Sequence, residues 1–340
     1  MELVNQIVIH KLWGEGFVSR HDASGFFVTF GGEEKPFSYP DSFAAFLRFA
    51  DPQLQKNAED LLAKKAEEKS KAMASWHSSS YVQTVNRTSV GRAPKKAEKP
   101  NIAFKCNFCD GGCSQKHLGF MGACSDEMIR YNIENAKHSW CCDSNCACNQ
   151  YYNGEIEGDE LDNIFEEYGS VCHESHMLID WVASAGFVLN GEKREEPKKI
   201  RNIQLNSLAV LTTRLPDSPE KDRIVFGVFL VNEGDQGDHK NDGFVKSNSK
   251  YRIELSPAEA QKIKFWNYHV NSNNSEKPAW GQGLYRYIDD AEAAQIIRDI
   301  VAVKRLPAEK KFAEEFLAHF CRLKKINLAE VPKPNGALKR

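Results

Sequence analysis

Along residues 4–49 apolar and polar positions alternate in short runs, "IVIHKLWGEGFVSR", "GFFVTFGG" and "KPFSYP", broken by turn signals at Gly14, Gly16, Gly25 and the pair Gly31-Gly32. Period-two alternation between such signals predicts short strands, here those of a small β-barrel over residues 1–50. After Tyr39-Pro40 the period lengthens. Asp41 reads as a helix N-cap, Phe43, Phe46 and Leu47 recur at helical spacing, and Leu54, Leu61 and Leu62 carry an apolar stripe onto a second helix, placed at 51–74. Periodicity then stops, and residues 75–100 read as a linker.

Short helical patterns return over 101–189. "SDEMIRYNIENAKHSW" starts at Ser125 with Met128 where a capping box has Glu or Gln, and "DELDNIFEEYG" and "SHMLIDWVASAG" predict helices ended by Gly169 and Gly186. Beyond them "LAVLTTR", "RIVFGVFLVNEG", "YRIEL" and "GLYRYI" read as strands. "SPAEAQKIKFW", capped by Ser256 with Pro257 at its first position, and "DDAEAAQIIRDIVAVK" read as helices. Residues 190–327 are therefore expected to form a mixed β-barrel with closing helices, and 328–340 a tail. The expected fold class is α+β and multidomain.

Composition adds little until it is localised. With 340 residues, 41% hydrophobic and 27% charged, the chain is long enough for two or three domains, and its net charge of -2 points to no partner. The linker is different: Lys69 to Lys105 holds eight Lys or Arg against one acid, Glu98, a charge run suited to phosphate contacts. No stretch of eighteen apolar residues is present, so no membrane span is expected. Residues 1–13 lack the basic-then-apolar pattern of a secretory signal, which implies a cytoplasmic protein with reduced thiols.

Those thiols are the sharpest chemical signal. Nine of the ten cysteines lie between Cys106 and Cys172, interleaved with His117, His138, His173 and His176. Cys106-x2-Cys109 is a metal knuckle, followed by Asp110-Gly111-Gly112 and Cys113; Cys124, Cys141, Cys146, Cys148 and Cys172 complete the candidate ligand set. One or two zinc ions stapling a helical segment too small for its own core is the first reading, and an iron–sulfur cluster the second. Glu174, within "CHESH", is the one candidate for a general base, although the i, i+4 histidine pair of "HExxH" is absent. Glu196-Pro197-Lys198 has nuclease-like E-x-K spacing, but proline suits a strand interior poorly.

The stretch Gly14, Gly16, Val18, then Val28 and Phe30, resembles SH3-like barrels of the Tudor, KOW and CarD kind. Ile224, Gly227, Val228, Phe229 and Val231 resemble the core strand of the PUA-like group, which includes ASCH, EVE and YTH domains. The "CDGG", "CSDE" and "GLYRY" blocks are similar to those of uncharacterised bacterial Cys-rich proteins. PUA-like resemblance implies an aromatic pocket for a flipped or modified base, with Trp266, Tyr268, Trp280, Tyr285 and Tyr287 as candidates beside Asn267, Asn271, Asn273 and Asn274; packing of the barrel is the other use for these rings. Together these readings predict a zinc-containing, nucleic-acid-binding protein of a restriction or defence setting. A metal-dependent nuclease or iron–sulfur enzyme is the alternative, and a protein–protein adaptor the second.

Overall fold

In the computed structural model the opening alternation folds as an antiparallel sheet of β1 (Ile7–His10), β2 (Gly14–Asp22), β3 (Gly25–Phe30), β4 (Glu33–Phe37) and β5 (Leu47–Phe49), in the order β4-β3-β2-β1-β5. The structure describes residues 3–10, 13–22, 25–37, 39–44, 47–64, 100–188, 196–271, 275–281 and 283–339. Among them β4 and β5 do not pair, so the sheet is open at both edges rather than a closed barrel. Val8, Val18, Phe26, Val28, Phe30 and Phe49 point to one buried face, as period-two patterning requires. Asp41 does not start a helix: residues Asp41–Ala44 form a single 3-10 turn, and Leu47–Phe49 is the strand that pairs with β1. Helix α1 (52–64) begins instead after Asp51, whose Oδ1 accepts the amides of Gln53 at 2.8 Å and Leu54 at 2.9 Å. The remainder of the expected helix to 74 and the basic linker to 99 lie outside the described residues.

The chain divides into two units, residues 1–95 and 96–340. In the second, β6 (Asn101–Lys105) sits inside a five-stranded sheet ordered β12-β9-β8-β6-β13, with β8 (Leu208–Thr213), β9 (Ile224–Leu230), β12 (Arg252–Glu254) and β13 (Tyr285–Ile288). β6 and β8 are parallel, and every other pair in that sheet is antiparallel. A parallel pair needs a long crossover, and here the crossover is the entire cysteine-rich segment. Residues 101–189 and 190–327, expected as separate domains, therefore share one sheet and one unit. This sheet too is open among the described residues.

All six residues of β8 and all seven of β9 are buried, which is why both read as continuous apolar runs. Within the crossover run α2 (Asp126–Arg130), α3 (Ala147–Tyr152), α4 (Gly158–Tyr168), α5 (Met177–Asp180) and β7 (Val182–Ser184). Ser125 caps α2 as expected and α4 ends at a left-handed Gly169, but α5 stops after one turn at a left-handed Trp181. The residues expected to continue that helix instead form β7, the edge of a second sheet ordered β10-β11-β7, with β10 (Glu233–Asp235) and β11 (Phe244–Lys246). The expected helix after Ser256 is likewise only α6 (Pro257–Ala260), though its capping box with Glu259 is formed. Helices α7 (Asp290–Val303) and α8 (Pro307–Lys324) follow. The expected tail is bound: Gly336, Ala337 and Leu338 donate amides to the carbonyls of Asn267, His269 and Trp266.

Candidate metal centre and the adjoining cavity

The crossover leaves the carboxyl end of β6 at Lys105 and folds back on itself immediately. Gly111 and Gly119 allow this: a Cβ on Gly111 would lie 2.1 Å from the Gly122 carbonyl oxygen, and one on Gly119, at φ +136, 1.8 Å from that of Cys109. Met121 then donates its amide to Gly111 at 3.1 Å, while the Asp110 carboxylate takes both the amide and the hydroxyl of Ser125. The two strands of this loop thereby bring Cys109, whose thiol lies 3.6 Å from the Gly122 carbonyl oxygen, and Cys124 onto one cavity. A second pair, Cys146 and Cys148, is set at the start of α3, where Cys146 is the N-cap residue.

These pairs, with Cys141 and Cys172, line one cavity of about 20 Å³. That is room for a single atom-sized guest. Among the described residues no three His, Cys, Asp or Glu side chains close on a ligating point, although six cysteines line the cavity. Burial pushes the Cys141 and Cys172 thiols up, and contact with their partners followed by burial does the same to Cys124 and Cys148. Cys146 moves the other way, to about 7, because the Cys148 thiol, against the opposing effect of burial, and the amides of Asn149 and Cys148 favour its thiolate. Closing over the same cavity is Asn132, carried on the π-helical turn Tyr131–Asn135 that continues α2. Its Nδ2 lies 4.0 Å from the Cys124 sulfur, and its Oδ1 is buried without a hydrogen-bond partner. A buried, unpaired acceptor beside six thiols is a costly arrangement unless something completes it.

Two of the eight expected cysteine ligands fall elsewhere. Cys113 is exposed, and Cys106 is buried with its thiol 4.0 Å from the Phe104 carbonyl, so the expected Cys106-x2-Cys109 knuckle is divided between two environments. The histidines are also dispersed: His117 pairs with Glu254 at 2.5 Å and His176 with Asp180 at 2.7 Å.

Cys106 faces a second, larger cavity of about 270 Å³. Asn107, Trp140 and Glu174 line both cavities and form the wall between them. Glu174 is fixed there by the Asn107 amide, which donates to Oε1 at 3.1 Å, and its charge helps to raise the thiols of Cys106, Cys141 and Cys172. Sequence patterning gave no sign of Asn132 or Trp140, because nothing local distinguishes a wall residue from a surface one.

The five aromatics expected to recognise a base are placed as packing residues. Trp266, Tyr268 and Trp280 are buried, with their polar groups taken by Glu220 (3.3 Å), Asp299 (2.8 Å) and the Gly283 carbonyl (3.0 Å). Trp280 is flanked by the guanidinium groups of Arg223 and Arg286, 5.0 and 5.7 Å from its ring centre. Tyr285 and Tyr287 are half-buried on β13 and bond to the Lys199 carbonyl at 2.8 Å and the Asn202 amide at 3.1 Å. Trp266, Tyr268 and Trp280 belong to the core, and Tyr285 and Tyr287 pack partly against it. Of the four candidate asparagines, Asn273 and Asn274 lie outside the described residues.

Among the described residues no helix is long and apolar enough to cross a membrane. Comparison with family models, with curated proteins and with solved structures gives no match to this chain.

Proposed function

We propose that this chain is a zinc-thiolate protein that binds nucleic acid, its metal held in the six-cysteine cavity. The carrying observation is that Cys109, Cys124, Cys141, Cys146, Cys148 and Cys172 line one cavity. A cysteine-rich lining suits zinc first and an iron–sulfur cluster second. Buried thiols with raised pKa values are neutral on their own; a divalent cation supplies the charge that lets them ionise and bind. Six sulfurs exceed the four of a tetrahedral site, leaving the choice of ligands to the metal. Thiols in this state suit a reducing compartment such as the cytoplasm.

The nucleic-acid part is supported by the basic sequence between Lys69 and Lys105 and by the cations of the larger cavity. The open antiparallel sheet of residues 7–49 and the mixed sheet of the second unit fit the SH3-like and PUA-like resemblances in strand content. A nuclease reading is favoured by one placement, that of the Glu174 carboxylate on the wall between the cavities. Its test is turnover lost in Glu174→Gln while metal content is retained.

Elemental analysis and absorption of the purified protein, with titration of oligonucleotides at about 50 mM salt where phosphate contacts are strong, tests the main reading. Stoichiometric zinc in a colourless solution and salt-sensitive binding are expected. Absorbance near that of an iron–sulfur chromophore, or no metal and no binding, overturns it.

A further inference from the structure

The carboxyl ends of the parallel pair β6 and β8 carry Lys105 and, one residue past β8, Arg214. Ligands of sheets with parallel strands gather at such ends, where the chain splays and leaves a crevice. Here the crevice is the cavity of about 270 Å³, close to the lower bound for small-molecule sites. We propose that this cavity binds a phosphorylated nucleoside, its phosphate on the Lys105 ammonium and its base against Trp140 and Phe187.

Lys105 lines the cavity half-buried, and among the described residues its ammonium has neither a hydrogen bond nor an ion pair. A half-buried cation without a protein partner is free to take an anion. The surrounding field is positive as well: burial first, then the charges of Arg223, Arg214 and Arg286, hold the Lys105 ammonium below its ordinary value against the single opposing pull of Glu220. Glu220 is itself committed to Arg223 through two contacts at 2.6 and 3.0 Å and to Arg214 at 3.4 Å, so it does not neutralise Lys105. Lys137, at φ +48, adds a second exposed cation to the rim from a left-handed conformation that a lysine seldom adopts.

The remaining wall selects a planar ligand. Trp140 is 37% exposed although it lines the cavity, and Phe187 is half-buried, so both rings keep surface that a base would cover. Asn107, His138 and Ser139 supply donors and acceptors for a base edge, and Glu174 an acceptor for an exocyclic amine or a ribose hydroxyl. A simple inorganic anion would leave the aromatic wall uncovered.

This inference rests on the nucleic-acid reading above for its ligand class, and its test separates the two. Full-length wild type, Lys105→Met and Phe187→Leu are titrated calorimetrically with the four nucleoside monophosphates, the parent nucleosides, inorganic phosphate and a single-stranded oligonucleotide, with zinc measured in every sample. A nucleoside monophosphate is expected to bind better than its nucleoside or phosphate alone. Lys105→Met should weaken it roughly 10- to 100-fold, the range for a charge-assisted contact, and Phe187→Leu several-fold, at unchanged zinc content. An oligonucleotide that displaces the mononucleotide identifies an unstacked nucleotide of a strand as the source; one that does not identifies the free mononucleotide, and both support the site. Oligonucleotide binding equal in all three proteins, with no mononucleotide bound, overturns the cavity while leaving the nucleic-acid reading intact. Mononucleotide binding without oligonucleotide binding does the reverse. If Lys105→Met fails to fold, unchanged mononucleotide affinity in Phe187→Leu overturns the site.

Discussion

The second unit holds two regions that are stabilised in different ways. The sheet core buries continuous apolar strands, β8 and β9, against Ile296, Ile297, Ile300, Phe316 and Phe320 of the closing helices. The middle of the crossover, by contrast, gathers around Ile129, Leu161 and the sulfurs of Cys146 and Cys148. A cluster with two buried aliphatic residues and a few partly buried ones, among them Ile133, Ile156 and Val171, offsets little of the chain entropy of a segment this long. The first region is held chiefly by apolar burial, and the second, on the reading proposed above, by the ion its thiols bind. The two meet at Phe120, which leaves the cysteine loop to stack on Phe226 of β9 at 3.9 Å between ring centres.

The largest effect should come from removing the proposed zinc. Structural zinc contributes about 10 kcal/mol or more to small metal-folded segments, so chelation, or Cys109→Ser with Cys148→Ser, should open the crossover to protease while the sheet core stays resistant. Cys321→Ser and Cys113→Ser should leave both zinc content and the digestion pattern unchanged. Equal protease sensitivity of sheet and crossover after chelation would erase the distinction between them. Next in size, Phe120→Ala should cost about 3–5 kcal/mol, as other emptied aromatic core sites do, and should lower both the denaturant midpoint and zinc retention because the residue belongs to both regions.

A third change tests the sheet side only. Lys304, the residue following α7, places its ammonium 2.9 Å from the buried Glu259 carboxylate and 2.9 Å from the Glu254 carbonyl. Burial raises the Glu259 carboxyl, but hydrogen bonds from Lys304 and the Ser256 amide outweigh it and hold the group below its ordinary value. A folded pKa below the unfolded one gives stability that is present above the ordinary carboxylate value of about 4.3 and lost as pH falls through the depressed folded value. Wild type should thus lose stability on acidification below about pH 4. Lys304→Met should cost about 3 kcal/mol at neutral pH by leaving a buried carboxylate unpaired, and its stability should depend less steeply on pH below that point. Identical acid limbs for the two proteins would remove this pair from the account. Smallest, Tyr285→Phe should cost only about 1 kcal/mol by deleting its bond to the Lys199 carbonyl, with oligonucleotide affinity unchanged; a large loss of affinity would return Tyr285 to the binding surface.

Much of the sheet region was legible because its signals are local. Runs such as "RIVFGVFL" and "LAVLTT" need only be apolar throughout to read as buried strands, and Ser256 caps its helix through contacts within a few residues, as Ser125 and Gly169 do at helix ends of the crossover. The failures have a common cause in competition from distant partners. Leu47–Phe49 has helical spacing but is drawn into a ladder with β1, and Val182–Ser184 is taken by β11. The six-cysteine site was legible in its residue types and not in its membership, since Cys106 and Cys109 are neighbours in sequence yet open onto different cavities.

The sequence alone therefore determined the α+β content, eight of the ten strands of the two main sheets, the helix ends at Ser125, Gly169 and Ser256, and the concentration of thiols in one segment. Each depends on periodicity or composition within a dozen residues. Tertiary structure decided that this segment is a crossover between parallel strands, that Asn132 and six sulfurs share one cavity, and that Lys105 faces another beside it. Those facts rest on strand order and on close backbone approaches such as that of Gly119 to Cys109, which join residues far apart in the chain and leave no periodic trace within it.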